Sequence, residues 1–236
     1  MGSFKPGDPD QVQRLFEQIA PRYDLFNDLL SLGLHRVWKR QAVAWLRPRP
    51  GQTLLDLCCG TGDLALVLAA RVRPAGRLIG IDAAAAPLAI AAARSARQPW
   101  LAVEWRQGDA LASGLGAGSA HGVSMAYGLR NLADPAEALA EVHRLLRPGG
   151  RAALLDFNRP APGTLPAVLQ RLCLRRVVVP AAGLAGLREH YAYLEASLER
   201  FPTGAEQVRL AGRAGFRQVR HRPLAAGLMG LLELEA

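Results

Sequence analysis

The segment Leu54 to Leu66, LLDLCCGTGDLAL, constrains this chain more than any other. An apolar run ends in Asp56, two cysteines follow, and Gly60-Thr61-Gly62 opens a stretch with helical spacing. The pattern is that of a strand, a tight turn and a helix start. Glycine lets such a turn bring backbone close to a ligand, because no side chain stands in the way. About twenty residues later a second apolar run, Arg77 to Ile81, ends at another acid, Asp82. From Thr53 onward the two periodicities alternate. Strands are expected over 53–57, 77–81, 101–106, 121–126 and 151–156, with helices near 62–72, 84–96 and 134–146. Such alternation predicts a parallel, doubly wound sheet with helices on both faces.

The flanks read differently. Val12, Leu15, Phe16 and Ile19 recur at helical spacing, and Pro21 breaks that helix. Tyr23 to Asn27 starts a second helix, and a third runs from about Leu34 to Trp45. After the fifth strand, Pro160-Ala161-Pro162-Gly163 interrupts the chain, and residues 164 to about 186 read as an inserted helical segment over the site. A further helix is expected from Tyr193 to Arg200. Thr203 caps the next, to about Ala214, and two last strands follow near 217–222 and 226–234. The expectation is one domain: a helical cap over 1–50, a core over 51–158, and the insertion with the final strands over 159–236. Half of the residues are hydrophobic, enough for a sizeable core.

The spacing Gly60-x-Gly62-x-x-Ala65 satisfies the dinucleotide fingerprint, a weak signal when alone. The acids sharpen it. A carboxylate at Asp82 can accept from both hydroxyls of a ribose. Asp56 would set a negative charge beside the ligand, which suits a cationic amino-acid group better than a pyrophosphate. Asp109, in Gly108-Asp109-Ala110 beyond the third strand, can accept an adenine amino group. Three acids at three successive strand ends fit S-adenosylmethionine better than NAD. Each acid also has a purely structural role open to it, as a helix cap or a turn residue.

The net charge is +9, with Arg spread along the whole length. A basic face could meet nucleic acid or anionic lipid, but there is no dense basic run of the nucleic-acid-tail kind. After the fourth strand Met125-Ala126-Tyr127-Gly128 stands where base N-methylation needs a D/N-P-P-Y/F turn, so no nucleic-acid partner is expected. Cys58, Cys59 and Cys173 offer neither a disulfide framework nor a zinc spacing, and no metal is expected. No signal or transit peptide is read at the N-terminus, and no span of membrane-crossing length without Arg or Pro. A cytoplasmic protein, peripheral at a membrane surface at most, is expected.

At this point the chain resembles the UbiE/MenG family, C-methyltransferases of quinone biosynthesis. The resemblance rests on IAPRYDLFNDLLSLGLHRVWKR (Ile19 to Arg40), LLDLCCGTGD, GID (Gly80 to Asp82), GDA (Gly108 to Ala110) and AYGLRN (Ala126 to Asn131). It continues through LRPGGRAALLDFNRP (Leu146 to Pro160), HYAYLEASLERFP (His190 to Pro202) and AGF (Ala214 to Phe216), covering nearly the whole chain. LDFNRP and the ending GLMGLL look like the phylloquinone branch. The resemblance implies a class I S-adenosylmethionine-dependent methyltransferase fold, Rossmann-like, with a mostly parallel seven-stranded sheet. The implied substrate is reduced 2-phytyl-1,4-naphthoquinone, with demethylmenaquinone or a ubiquinone precursor as the alternatives. Residues 111–122 and Ala83 to Pro87 depart from the family pattern.

The cofactor set expected is Asp56, Gly60, Thr61, Gly62, Asp82, Asp109, Ala110 and Ala126. Arg130 is the first catalytic candidate: a guanidinium does not readily act as a base, but it can stabilise a phenolate or orient a water. A structural ion pair is its other role. Tyr127 and Asn131 would position ring oxygens. Tyr23, Asn27, His190 and Tyr193 are the substrate-side candidates, with packing the alternative for Tyr193. His35, His121, His143 and His221 stand in no constellation that singles them out. The N-terminal helices and residues 164–186 could form a channel for a phytyl tail, with Arg171, Arg175 and Arg176 touching lipid headgroups. A homodimer is left open.

Overall fold

A computed structural model describes residues 7–20, 28, 31, 33–160, 163–173, 176 and 188–236. Its centre is a seven-stranded sheet. The strands are β1 (Thr53–Leu57), β2 (Arg77–Asp82), β3 (Val103–Gln107), β4 (Ala120–Ala126), β5 (Leu146–Phe157), β6 (Gln218–Leu224) and β7 (Met229–Glu235). They lie in the order β3-β2-β1-β4-β5-β7-β6. β7 runs antiparallel to both β5 and β6, and the other pairings are parallel. β1 is flanked by β2 and β4, so the strand order reverses beside it. An open α/β sheet places its ligand crevice at the carboxyl ends of the strands at such a switch.

The helices are α1 (Pro9–Ile19), α2 (His35–Leu46), α3 (Asp63–Arg71), α4 (Ala85–Ala96), α5 (Pro135–Leu145), α6 (Leu165–Cys173), α7 (Arg188–Arg200) and α8 (Gly204–Arg213). Alternation along β1 sends Leu55 and Leu57 to one face, where they join Leu139, Val142 and Leu145 of α5 with Ala211 of α8. Leu54 goes to the other, with Ala42, Val43 and Leu46 of α2 and Leu64 and Leu68 of α3. Each fully buried leucine contributes about 1.5–3 kcal/mol. The turn after β1 is thus held by apolar packing on both faces of the sheet.

Several boundaries differ from the sequence expectation for physical reasons. β3 begins at Val103, not 101, because the Leu101 amide donates to the Gln98 carbonyl in a turn (2.9 Å). β5 begins at Leu146 because Leu146-Arg147-Pro148-Gly149-Gly150 stays on the sheet as a register shift: Ala120 pairs with Leu146, then Gly122 with Arg151. β7 starts at Met229, since Ala225 and Ala226 take left-handed φ values of 52° and 54° in the turn after β6. The Thr203 cap is present as expected, with Glu206 completing a capping box. The expected helix from Tyr193 begins earlier, at Arg188. The helix expected from Tyr23 and most of the 174–187 stretch lie outside the described residues. No helix among the described residues is long and apolar enough to cross a membrane.

Candidate active site

β1 delivers the turn at its carboxyl end. Gly60 has φ +53°, and a Cβ there would meet nothing within 4 Å, so its backbone faces open space. Gly62 has φ +80°, but a Cβ there would sit 2.7 Å from Trp105 and 3.0 Å from Ala91. The two glycines therefore do different jobs. Gly60 clears the crevice, and Gly62 lets α3 start hard against β3 and α4.

The crevice is a cavity of about 380 Å³. Its floor is Gly60, Asp82, Asp109 and Ala110, its side is Ala126, Tyr127, Gly128 and Asn131, and its roof is Val12, Phe16 and Ala20 from α1 and the residue after it. Asp82 ties the floor together: its carboxylate accepts from the amides of Gly60 (2.8 Å) and Ala84 (3.0 Å). Burial pushes its carboxyl above the usual range, against those two bonds. Asp109 is exposed at the rim and accepts from the Leu111 amide (2.9 Å). The departure at Ala83 to Pro87 leaves α4 with Ala84 as N-cap and no side-chain cap of its own. Glu17 of α1 supplies it, accepting from the Ala85 and Ala86 amides (2.6 and 2.9 Å).

A second, smaller cavity of about 30 Å³ shares Cys58, Gly60, Ala126 and Tyr127 with the first, and adds Lys39, Asp56, Cys59, Thr61 and Asp63. Cys58 and Tyr127 stand where the two meet, both in the left-handed region, with φ +54° and +64°. A non-glycine residue pays about 1–3 kcal/mol for such a conformation, and such residues cluster at functional sites. Asp56 is 1% exposed and accepts from the Ser124 hydroxyl (2.5 Å), its register partner on β4. Burial raises its carboxyl to about 7, although Ser124 and Lys39 act the other way. Burial pushes the Cys58 thiol well up, so it is no nucleophile at neutral pH.

Arg130 is in a 3-10 turn after β4. Its guanidinium donates to Asp156 (2.6 Å) and to the Tyr127 carbonyl (2.9 Å), and it lies over the Phe157 ring. The pair is buried, and Arg130 is not among the residues lining either cavity. Asn131 does face the larger cavity; its amide donates to the Tyr127 carbonyl (2.9 Å), and the buried Tyr193 hydroxyl donates to the Asn131 side-chain oxygen. The structure thus brings Tyr127, Asn131 and Tyr193 together and sets Arg130 behind them. His190 lies on α7, but its side chain is outside the described residues, as are Tyr23 and Asn27.

Sequence reasoning missed Glu17, His35, Lys39, Ser124 and Asp156. Asp156 ends β5, so the reasoning that found three acids at strand ends applies to it equally. Ser124 becomes legible once β1 is paired with β4. His35 is buried, with Nε2 2.7 Å from Asp28. That contact crosses a helix break, and no local spacing announces it.

A model of the ubiE/COQ5 methyltransferase family matches residues 5–232. The chain belongs to the ubiE/COQ5 methyltransferase family. It is accordingly an S-adenosylmethionine-dependent methyltransferase. It is 51% identical to a "2-phytyl-1,4-naphtoquinone methyltransferase" of Thermosynechococcus vestitus, covering 93% of this chain and 96% of that one. A chloroplastic protein of Arabidopsis thaliana, "2-phytyl-1,4-beta-naphthoquinone methyltransferase", is 42% identical over 92% of this chain and 84% of its own. In fold the chain is similar to a SAM-dependent methyltransferase from Aquifex aeolicus (TM-score 0.61, 16% identity, 97% and 98% covered). The seven-stranded, Rossmann-like class I fold is the one expected.

This ubiE/COQ5 member carries a donor set that suits its cofactor. An open space over Gly60, a carboxylate at Asp82 and a polar rim at Asp109 are what a nucleoside requires. The smaller cavity beside it is polar, as a methionine end requires. Among the described residues no group of three or more His, Cys, Asp or Glu is placed to hold a metal ion.

Proposed function

We propose that this methyltransferase adds a methyl group to the ring carbon of reduced 2-phytyl-1,4-naphthoquinone. The observation that carries the reading is the 51% identity, over almost the full length of both chains, to a relative of that name. Asp82 and Asp109 would hold the ribose and adenine, and Asp56 the ammonium of the methionine end. Bound S-adenosylmethionine supplies the methyl group. Its methyl would pass from sulfur to the ring carbon, and the displaced ring hydrogen would go to water as a proton.

A quinone ring is electrophilic and does not attack. A quinol attacks, more so as its phenolate, so one ring hydroxyl must be polarised or deprotonated. Tyr127 and Asn131 line the cavity beside the nucleoside floor and can receive the ring oxygens. Arg130 then acts as a positioning residue, because its contacts with Asp156 and the Tyr127 carbonyl fix the turn that presents them. Holding the ring carbon in line with the methyl contributes several kcal/mol to the barrier reduction. An assay with labelled methyl donor and a panel of reduced naphthoquinols and benzoquinols tests the substrate. Fastest turnover on the phytylated naphthoquinol supports the reading, and preference for a demethylmenaquinol or a benzoquinol overturns it.

One observation favours contact with a lipid surface for delivery of such a substrate. Leu165, Val168 and Leu172 of α6 are 71%, 56% and 55% exposed and share one helical face. From Phe157 to Arg188 the sequence carries Arg159, Arg171, Arg175, Arg176 and Arg188 and no acid. An apolar stripe amid cations suits an anionic bilayer surface. Flotation with vesicles containing phosphatidylglycerol should carry the protein upward, and Leu165→Ser with Leu172→Ser should leave it at the bottom. Equal flotation with neutral vesicles would contradict the electrostatic part.

A further inference from the structure

The smaller cavity contains a cation that the cofactor reading above does not use. Lys39 extends from α2 to line it together with Asp56, Thr61 and Tyr127. Its ammonium is 2.6 Å from an Asp63 oxygen and 5.7 Å from the centre of the Tyr127 ring. The side chain is 13% exposed. An ammonium carries three donors, and Asp63 takes one of them. Asp63 is itself 42% exposed, so the pair is held at the cavity wall, not sealed in the core. Burial would raise the Asp63 carboxyl, but Lys39, with His35 and Arg94, holds the group below its usual value.

A cation and a carboxylate thus line one polar pocket, next to a glycine turn whose backbone approaches the ligand. That arrangement is complementary to a zwitterion: an α-amino acid presents an ammonium and a carboxylate on adjacent atoms. We propose that Lys39 binds the carboxylate of the methionine end of S-adenosylmethionine, opposite Asp56, which takes its ammonium. The proposal rests on the cofactor assignment and adds to it the residue that tells the amino-acid end from a plain alkyl thioether. Tyr127 fixes the direction of the Lys39 stem by cation–π contact. Asp63, at the first position of α3, keeps the ammonium aimed.

Three nucleosides separate the possibilities by calorimetry: S-adenosylmethionine, its decarboxylated form, and methylthioadenosine, which lacks the amino-acid end. The wild type should bind the first roughly ten- to a hundredfold more tightly than the second, the scale of a charge-assisted hydrogen bond. Lys39→Met should lose that preference and leave methylthioadenosine affinity unchanged. Lys39→Arg should restore part of it. Because Asp63 reaches solvent, thermal unfolding of Lys39→Met should stay near wild type. An equal loss of affinity for all three nucleosides would mean that Lys39 only supports the fold, and overturns the proposal. So does a wild type that binds the decarboxylated form as well as the intact one. A wild type that binds none of the three overturns the cofactor assignment itself.

Discussion

The Glu17 carboxylate accepts a hydrogen bond from the backbone amide of Ala85 at 2.6 Å, across 68 positions of sequence. Ala86 donates to its other oxygen, and the neighbouring Ala84 amide goes to Asp82. Three successive amides at the start of α4 are thus satisfied by carboxylates from two other elements. The helix that roofs the cofactor crevice is fastened to the helix beside its floor by one side chain.

Glu17→Ala should leave the Ala85 and Ala86 amides without acceptors and loosen α1. A lost helix cap costs about 1 kcal/mol. Amide hydrogen exchange should accelerate over residues 9–19 and 85–86, and affinity for S-adenosylmethionine should fall several-fold. Unchanged exchange in α1 would count against the roof depending on this contact.

The two glycines of the turn should fail differently. Gly60→Ala adds a Cβ into open space at φ +53°, so it should cost about 1 kcal/mol of stability and mainly weaken nucleoside binding. Gly62→Ala drives a Cβ into Trp105 at 2.7 Å, so its first effect should be a lower unfolding temperature. Parallel thermal melts and binding titrations check the contrast.

Asp56 gives a pH dependence with a definite sign. Its carboxyl is raised from 3.8 to about 7 by burial, so the folded chain holds a proton that the unfolded chain releases. The stability due to this group is fully present below about pH 4 and is lost as pH rises through 7. Binding of a cationic ammonium favours the ionised form, so affinity for S-adenosylmethionine should strengthen as pH rises from 6 to 8. A proton should be released on binding, measurable by calorimetry in buffers of different ionisation enthalpy. Asp56→Asn should bind weakly at every pH, without that slope.

Breaking the Arg130–Asp156 pair should be costly whichever partner goes. Both side chains are under 10% exposed, and removal of one leaves a buried charge, at about 3–5 kcal/mol. Urea unfolding of Arg130→Met and Asp156→Asn should show losses of similar size. If Arg130→Met instead unfolds like wild type and only turnover falls, Arg130 acts on the substrate directly.

Tyr193→Phe should cost about 1 kcal/mol by leaving the buried Asn131 oxygen unpaired. If Asn131 receives a ring oxygen, kcat/KM for the quinol should drop while affinity for the nucleoside holds. Single-turnover kinetics with saturating cofactor separates the two.

The alternation of apolar runs placed β1, β2 and β4 to within a residue, because a strand buried on both faces is a short apolar run bounded by turns. The half-exposed edge strand β3 and the start of β5 were placed less closely. The acids at the ends of β1, β2 and β3 were visible for the same reason. What the sequence hid was contact across elements. Glu17 lies on a helix face that reads as solvated, and only the docking of α1 on α4 shows why it is acidic. Arg130 carries a charge beside the expected crevice, and nothing local reveals that Asp156 draws it behind the wall. The Ala83 to Pro87 run departs from the family pattern, and the cap it lacks is made good from 68 residues away.

The link from Tyr193 to Asn131 has a consequence for diversification. It is a side-chain contact through which α7, beyond the insertion after β5, meets the ledge beside the nucleoside floor. Loops and helices that handle a lipid tail can therefore be exchanged between relatives while the methyl-donating half is left untouched. The Tyr193 phenol and the Arg200 guanidinium, which donates to the Leu132 and Ala133 carbonyls, keep the two halves in register.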